Sequence, residues 1–145
     1  NIMSEKLDLI KKILARCKRK DERLTLPLIM SHCLPPSSKW SPPVMIDNIS
    51  GGGLKFHSAK RLKSGAKFNA KIDLPNKLQP ISINGKIIWC EKINSKKDPK
   101  KPLYNVGVEF LKMDNQDRHK FVSYLCEEIL FQYLTDEGKM KPKWI

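Results

Sequence analysis

Apolar residues along this chain follow two periods. Near the start, Met3, Leu7, Ile10, Leu14 and Cys17 recur at steps of 4, 3, 4 and 3. That spacing predicts an amphipathic helix behind a Ser4 cap. Two heptads leave two uses open: a helix packed on its own domain, or a connector and partner-binding helix. At Leu24 the period drops to two. Leu24, Leu26, Leu28 and Met30 alternate as in a strand. Residues 34–43 hold four prolines and three serines around Trp40 and read as a loop. Strands are then expected over Val44–Ile49 and Leu54–His57. Others are expected through Phe68, Ala70, Ile72 and Leu74, through Ile81, Ile83, Ile87 and Trp89, and through Tyr104, Val106, Val108 and Phe110. Phe68, Trp89 and Phe110 fall in the core phase of these patterns. Ser50-Gly51-Gly52-Gly53 reads as a turn with unusual backbone angles, and Gly85 marks a bulge or sharp bend. Asp114 or Asn115 caps a terminal helix. Its stripe is Phe121, Leu125, Ile129 and Tyr133, with Val122, Leu130 and Leu134 beside it, and Gly138 ends it.

Six short strands without helices between them exclude a parallel α/β sheet. The expected fold is all-β: a small antiparallel barrel or sandwich of six or so strands with an N-terminal and a C-terminal helix, and closing a barrel removes exposed edges. Residues 1–17 form the N-terminal helix or connector. Residues 18–134 form the barrel with its C-terminal helix, and 135–145 a basic tail. No internal repeat is evident.

Composition sharpens the functional question. The chain has 145 residues, 28 Lys plus Arg against 15 Asp plus Glu, and a formal net charge of +13. Such a charge calls for an anionic partner: nucleic acid, nucleotide or acidic lipid. No apolar run approaches the roughly 18 residues of a membrane span. No apolar stretch of signal-peptide type follows Asn1, and a start at Asn leaves room for an upstream domain. Cys17, Cys33, Cys90 and Cys126 are scattered without a CxxC pair, so a metal site is not expected and reduced thiols of a cytosolic protein are. His32, His57 and His119 lack a partner pattern, and no HExxH, Walker A or GxSxG motif is present. The chain reads as neither an enzyme nor a cofactor protein.

Two clusters carry recognisable chemistry. Arg19 and Arg23, an RxxxR pair just before the first alternating segment, can clamp phosphate and stack on purines. Asn48-Ile49-Ser50-Gly51-Gly52-Gly53 is an NxSxxG pattern at a strand-to-strand turn, where an amide and a hydroxyl can meet a base edge or a phosphate. Each is common alone. Their order, their 25-residue separation and the β-rich remainder are more specific. In these features the chain resembles the PilZ domain family. Gly85-Lys86-Ile87-Ile88-Trp89 and Tyr104-Asn105-Val106-Gly107-Val108-Glu109-Phe110 extend the resemblance, which covers roughly Lys18 to Leu134.

The resemblance implies an all-β fold, a small six-stranded antiparallel PilZ-like barrel, and a bacterial, cytoplasmic, non-enzymatic receptor for cyclic di-GMP. Arg19 and Arg23 would hold the phosphates and guanine. Asn48 and Ser50 would bond the guanine edge, and Gly53 would allow close approach. Asp47 stands beside Asn48, which leaves open which of the two faces the ligand. Lys18, before the first arginine, is compatible with a stacked pair of ligands. The ligand would bridge the RxxxR linker and the NxSxxG turn and reorient the N-terminal segment, or an upstream domain, toward a protein partner. Two ligand charges do not account for +13, so a second anionic partner stays open. The alternative is a basic barrel that binds RNA or single-stranded DNA, with Trp40 and Trp144 as stacking aromatics. A third reading, docking onto protein partners alone, fits the helix seam but not the two intact motifs. The lysine-rich stretches 96–101 and 139–143 read as solvated charge, or as contacts to nucleic acid or an acidic membrane surface.

Overall fold

The computed structural model describes residues 23–75, 79–93 and 101–136, together with positions 4, 5, 7, 8, 11 and 12. The N-terminal helix and the basic tail expected from sequence fall almost wholly outside the described residues. Six strands run β1 (Ile29–Cys33), β2 (Val44–Ile49), β3 (Gly53–Ser58), β4 (Lys67–Asp73), β5 (Ile81–Ile93) and β6 (Leu103–Met113), followed by helix α1 (Asn115–Asp136). All pairings are antiparallel, and the order β1-β2-β3-β6-β5-β4 closes on itself through β1 and β4. Closure leaves every strand with a neighbour on both sides.

The inward residues of all six strands meet in one core that includes Phe56, Phe68, Ile49, Leu54, Ile72 and Val106. Helix α1 covers part of it with Phe121, Tyr124, Leu125 and Ile129, all buried. Phe121 meets Phe110 edge-on at 5.8 Å between ring centroids. Asp114 is the cap: its Oδ2 accepts the Gln116 N–H at 3.1 Å. Asp117 Oδ2 accepts the Ser82 N–H at 3.0 Å and ties the first turn of α1 to β5.

The alternating segment from Leu24 is not a strand of its own. Side chains alternate exposed and buried without a break from Arg23 to Met30. Ladder pairing, however, begins only at Ile29. Pro27 has no N–H to donate, and Leu28 N–H turns back to Leu26 C=O at 2.8 Å. Residues 24–28 therefore form an extended strap. It is held to β2 through Leu24 and Ile49 and by the Ile46 N–H on Leu28 C=O at 2.9 Å. The loop of residues 34–43 is fastened to β1 by the Ser41 N–H on His32 C=O at 2.7 Å and the His32 N–H on Ser41 Oγ at 2.9 Å. Cys33 and Cys90 are free thiols. Cys126 is disulfide-bonded, against the expectation of reduced thiols throughout.

Three one-residue bulges correct the simple strand phases. Leu111 is skipped where Asn84 pairs with Lys112 and Gly85 with Phe110, so the bulge expected at Gly85 lies on the facing strand. Ile88 is skipped where Ile87 pairs with Val108 and Trp89 with Gly107. This extra residue turns Trp89 to the outer face and brings Cys90 to the core. Trp89 is thus not the core residue that alternation suggests, whereas Phe68 is buried and Phe110 packs against the core. Asp47 is skipped where Ile46 pairs with Phe56 and Asn48 with Lys55.

His32 points inward, its ring centroid 5.2 Å from that of Phe56 and 5.1 Å from that of Phe68. Desolvation by burial lowers its pKa below the ordinary histidine value. The unfolded chain then takes up the proton more readily than the folded one. The resulting stability is complete above the ordinary histidine pKa and is lost as pH falls below it. Tm is expected to drop between about pH 7 and pH 5. His32→Phe should flatten that slope, a comparison read by calorimetry of both proteins at the two pH values.

Candidate functional site

The two sequence clusters meet at β2. Leu24 and Ile49 form an isolated antiparallel bridge. Leu24 N–H donates to Ile49 C=O at 2.8 Å, and Ile49 N–H to Leu24 C=O at 2.9 Å. Both side chains are buried, so apolar burial on the inner face holds the strap where its outer face carries Arg23. From there the Arg23 guanidinium donates through Nη1 to Asn48 Oδ1 at 3.0 Å. A 25-residue separation is closed by two backbone bonds and one side-chain bond. Arg19 lies outside the described residues.

The bulge at Asp47 decides where Asn48 points. Unbroken alternation from Ile46 would send Asn48 into the core and Ile49 to solvent. The extra residue reverses the phase. Ile49 is fully buried, and Asn48 stands on the outer face beside Arg23. Asp47 is on that face too, with its carboxylate 3.4 Å from Lys55 Nζ. The two candidates at this position are thereby separated: Asn48 engages Arg23, Asp47 engages Lys55.

Ser50 is fully buried. Its Oγ accepts the Gly52 N–H at 3.3 Å and the Gly53 N–H at 3.2 Å, while Ser50 N–H donates to Gly53 C=O at 2.8 Å. The hydroxyl is spent on shaping the turn. The turn is fixed to the barrel by the Phe110 N–H on Gly52 C=O at 2.9 Å. Gly53 is needed for a steric reason: a Cβ there would lie 2.3 Å from Val108 O. The close approach it permits is that of β6. Positive φ occurs at Gly65 (89°) and not at Gly53.

Strand register extends the outer face beyond the motifs. Asn48 pairs with Lys55, Lys55 with Gly107, and Gly107 with Trp89. These residues form one row across four strands, about 14 Å from end to end at normal strand spacing. The Trp89 indole lies over Gly107, where a Cβ would fall 2.3 Å from Cε2. Lys55 and Trp89 were not singled out from sequence as site residues. The bulges at 47 and 88 set their phase, and periodicity alone does not reveal them. In the next row, His57 pairs with Asn105 and Asn105 with Glu91. Asn105 Oδ1 is buried without a hydrogen-bond partner among the described residues. Beside Asp47 a groove of about 460 Å³ opens between the strap and β2 and β3. Among the described residues no His, Cys, Asp or Glu cluster could hold a metal ion, and no helix is long and apolar enough to cross a membrane.

The sequence of this closed six-stranded barrel matches a known family. The model of the PilZ domain aligns with residues 18–127. The chain belongs to the PilZ family. Solved PilZ-fold structures agree. The inhibitor of motility of Bacillus subtilis superposes with a TM-score of 0.59 at 18% identity, over 76% of this chain and 50% of that one. MrkH of K. pneumonia, solved as a c-di-GMP complex, gives 0.56 at 18% identity, over 84% of this chain and 55% of that one. The PilZ domain of YcgR from Escherichia coli, solved with c-di-GMP, gives 0.55 at 14% identity, over 85% of this chain and 99% of that domain. This PilZ chain thus spans about half the length of the first two proteins. No curated protein matches it by sequence.

Gly53→Ala is expected to destabilise the barrel by about 1–3 kcal/mol, the usual cost of overpacking, because Val108 must move with its strand. Gly65→Ala, with nothing within 4 Å of its Cβ, meets a φ of 89° instead and so reports backbone strain without a clash. Urea unfolding of the two variants separates these origins.

Proposed function

We propose that this PilZ chain is a non-enzymatic, bacterial, cytoplasmic receptor for cyclic di-GMP. The observation that carries the reading is the Arg23–Asn48 clasp. It joins the RxxxR arm to the NxSxxG turn on one outer face, with Lys55 and Trp89 in the same row. Family membership and the c-di-GMP complexes of MrkH and YcgR support it. On this reading the guanidinium of Arg23, joined by that of Arg19, takes phosphate and guanine O6 and N7, which accept hydrogen bonds. Asn48 contributes its amide. Ser50 and Gly53 act through the turn: one folds it, and the other lets it lie against β6.

Ligand binding then bridges an arm and a barrel. Arg23 sits at the edge of the described strap, with Arg19 four residues ahead. A ligand that ties both arginines to β2 reorients the chain that precedes the barrel. That change is the signal passed to a protein partner or an upstream domain.

Isothermal titration calorimetry with cyclic di-GMP at near-physiological salt tests the reading, with GTP and cyclic di-AMP as controls. Saturable heat for cyclic di-GMP alone is expected, and no heat at tens of micromolar protein would refute it. Arg23→Ala, at an exposed position, should weaken binding at least about tenfold, since bonds to charged groups are worth roughly 1.5–3 kcal/mol. Its Tm should stay near that of the parent protein. Ser50→Ala should behave in the opposite way. Loss of the buried hydroxyl leaves two turn N–H groups without their acceptor, costs about 1–3 kcal/mol of stability and reduces affinity less than Arg23→Ala does.

A further inference from the structure

We propose that the outer face of β4 and the adjoining part of β5 docks on an acidic membrane surface. The inference goes beyond the receptor reading and does not depend on it. In the closed order β1-β2-β3-β6-β5-β4, β4 is three strands from β3 in either direction. Register lays out the face. Lys67 pairs with Lys86, and Lys86 with Glu109. Asn69 pairs with Asn84, and Asn84 with Lys112, while Lys71 pairs with Ser82. These rows extend about 14 Å along β4 and about 10 Å from β4 to β6 at normal strand dimensions. They hold four lysines and one carboxylate, that of Glu109. Asp73 and Asp117 stand at the margin, and Asp117 is occupied by the Ser82 N–H.

The charge is arranged at a cost. Lys67 and Lys86 face each other directly, and like charges in that position destabilise a sheet. Among the described residues neither is in an ion pair, and nor is Lys112. An anionic surface relieves this repulsion and gives part of the net charge of +13 a partner. The apolar groups favour a bilayer over a nucleic acid. Ile88 follows Lys86 by two residues on β5, and Leu111 precedes Lys112 on β6. They are 41% and 58% exposed. Aliphatic side chains give bases no ring to stack on, but they enter the boundary of a bilayer. At the other edge the exposed Trp40 carries Lys71 Nζ 4.5 Å from its ring centroid. The two bonds between His32 and Ser41 hold its loop to β1 and so keep the indole beside β4. Tryptophan settles at headgroup level, and lysine lays an apolar stem along such a surface with its charge outermost. All the cations of these rows are lysines. The fixed fork of arginine suits a single shaped phosphate, whereas point charges suit a fluid sheet of headgroups.

Co-sedimentation of the full chain with vesicles tests the assignment. Vesicles of equal parts phosphatidylglycerol and phosphatidylcholine are compared with phosphatidylcholine alone. Binding is expected to the acidic vesicles only and should fall as salt rises. Lys67→Gln combined with Lys86→Gln should weaken it about tenfold or more, since one lysine at such a surface is worth roughly fivefold. Tm of that variant should match or exceed the parent value, because the like-charge pair is gone. Its affinity for cyclic di-GMP should be unchanged. Lys92→Gln combined with Lys101→Gln removes the same charge from exposed positions near the opposite end of β5 and just ahead of β6, and should weaken vesicle binding far less. Leu111→Asn should reduce the binding that survives high salt. Parent-like binding by the first double variant, or equal losses in both, overturns the face. So does failure of the parent protein to bind acidic vesicles, or binding of a single-stranded oligonucleotide through Lys67 and Lys86 in their place. Each of these outcomes leaves the receptor reading standing.

Discussion

A side-chain period of two, imposed on a sheet with no free edge, is the constraint from which the rest of this molecule follows. In a closed barrel a strand cannot slip to mend its phase, since both neighbours hold its register. An odd residue must be absorbed locally, as a bulge. The chain does this at Asp47, Ile88 and Leu111. Two of the extra residues, Ile88 and Leu111, are apolar and exposed. Asp47 faces outward as well. Each bulge preserves the core on both of its sides: Ile46 and Ile49 stay buried across the first, and Ile87 is followed inward by Cys90 across the second. The bulges leave the core intact and rearrange the surface, and the surface is where the candidate site lies.

The site combines a rigid part with a lightly held one. The turn at residues 50–53 is secured by Ser50, by Phe110 and by the contact of Gly53 with Val108. The strap at residues 24–28 lies along β2 by three backbone bonds. Leu24, Leu26 and Leu28 beneath it are buried and supply most of its attachment through apolar area. The Arg23–Asn48 bond is exposed and contributes on the order of 1 kcal/mol. It indicates direction more than strength: the guanidinium is already aimed at the strand that carries Asn48 and Asp47.

The inner half of this design is legible from the chain alone. Alternation at Leu24–Met30 predicts burial position by position, although Pro27 denies the segment a ladder of its own. A β-rich fold of about six strands and the helical stripe at Phe121, Leu125 and Ile129 follow from periodicity, and the choice of a closed barrel follows from the family resemblance. The motif residues follow from charge and hydrogen-bonding type. What periodicity does not convey is the outer face beyond a bulge. Trp89 shares its alternation with Ile87 until Ile88 intervenes, and Asn48 shares it with Ile46 until Asp47 does. Nothing in residue type alone marks which of two neighbours is the extra one. The same holds for Gly53, where a glycine that suggests backbone freedom answers a packing demand from β6.

On the proposed reading, the position of the strap lets one face both bind and report. Arg23 leads into the strap, whereas Asn48, Lys55 and Trp89 belong to the barrel, whose register is fixed on all sides. A ligand spanning them binds two pieces with unequal local stability. Segments held by few bonds open at lower free energy than the body they rest on. On that reading, ligand affinity for the closed arrangement is felt first by the strap and only weakly by the barrel. Output from such a site requires no deformation of the core. It requires that the buried row Leu24, Leu26 and Leu28 hold the strap while Arg23 exchanges its bond to Asn48 for one to the ligand.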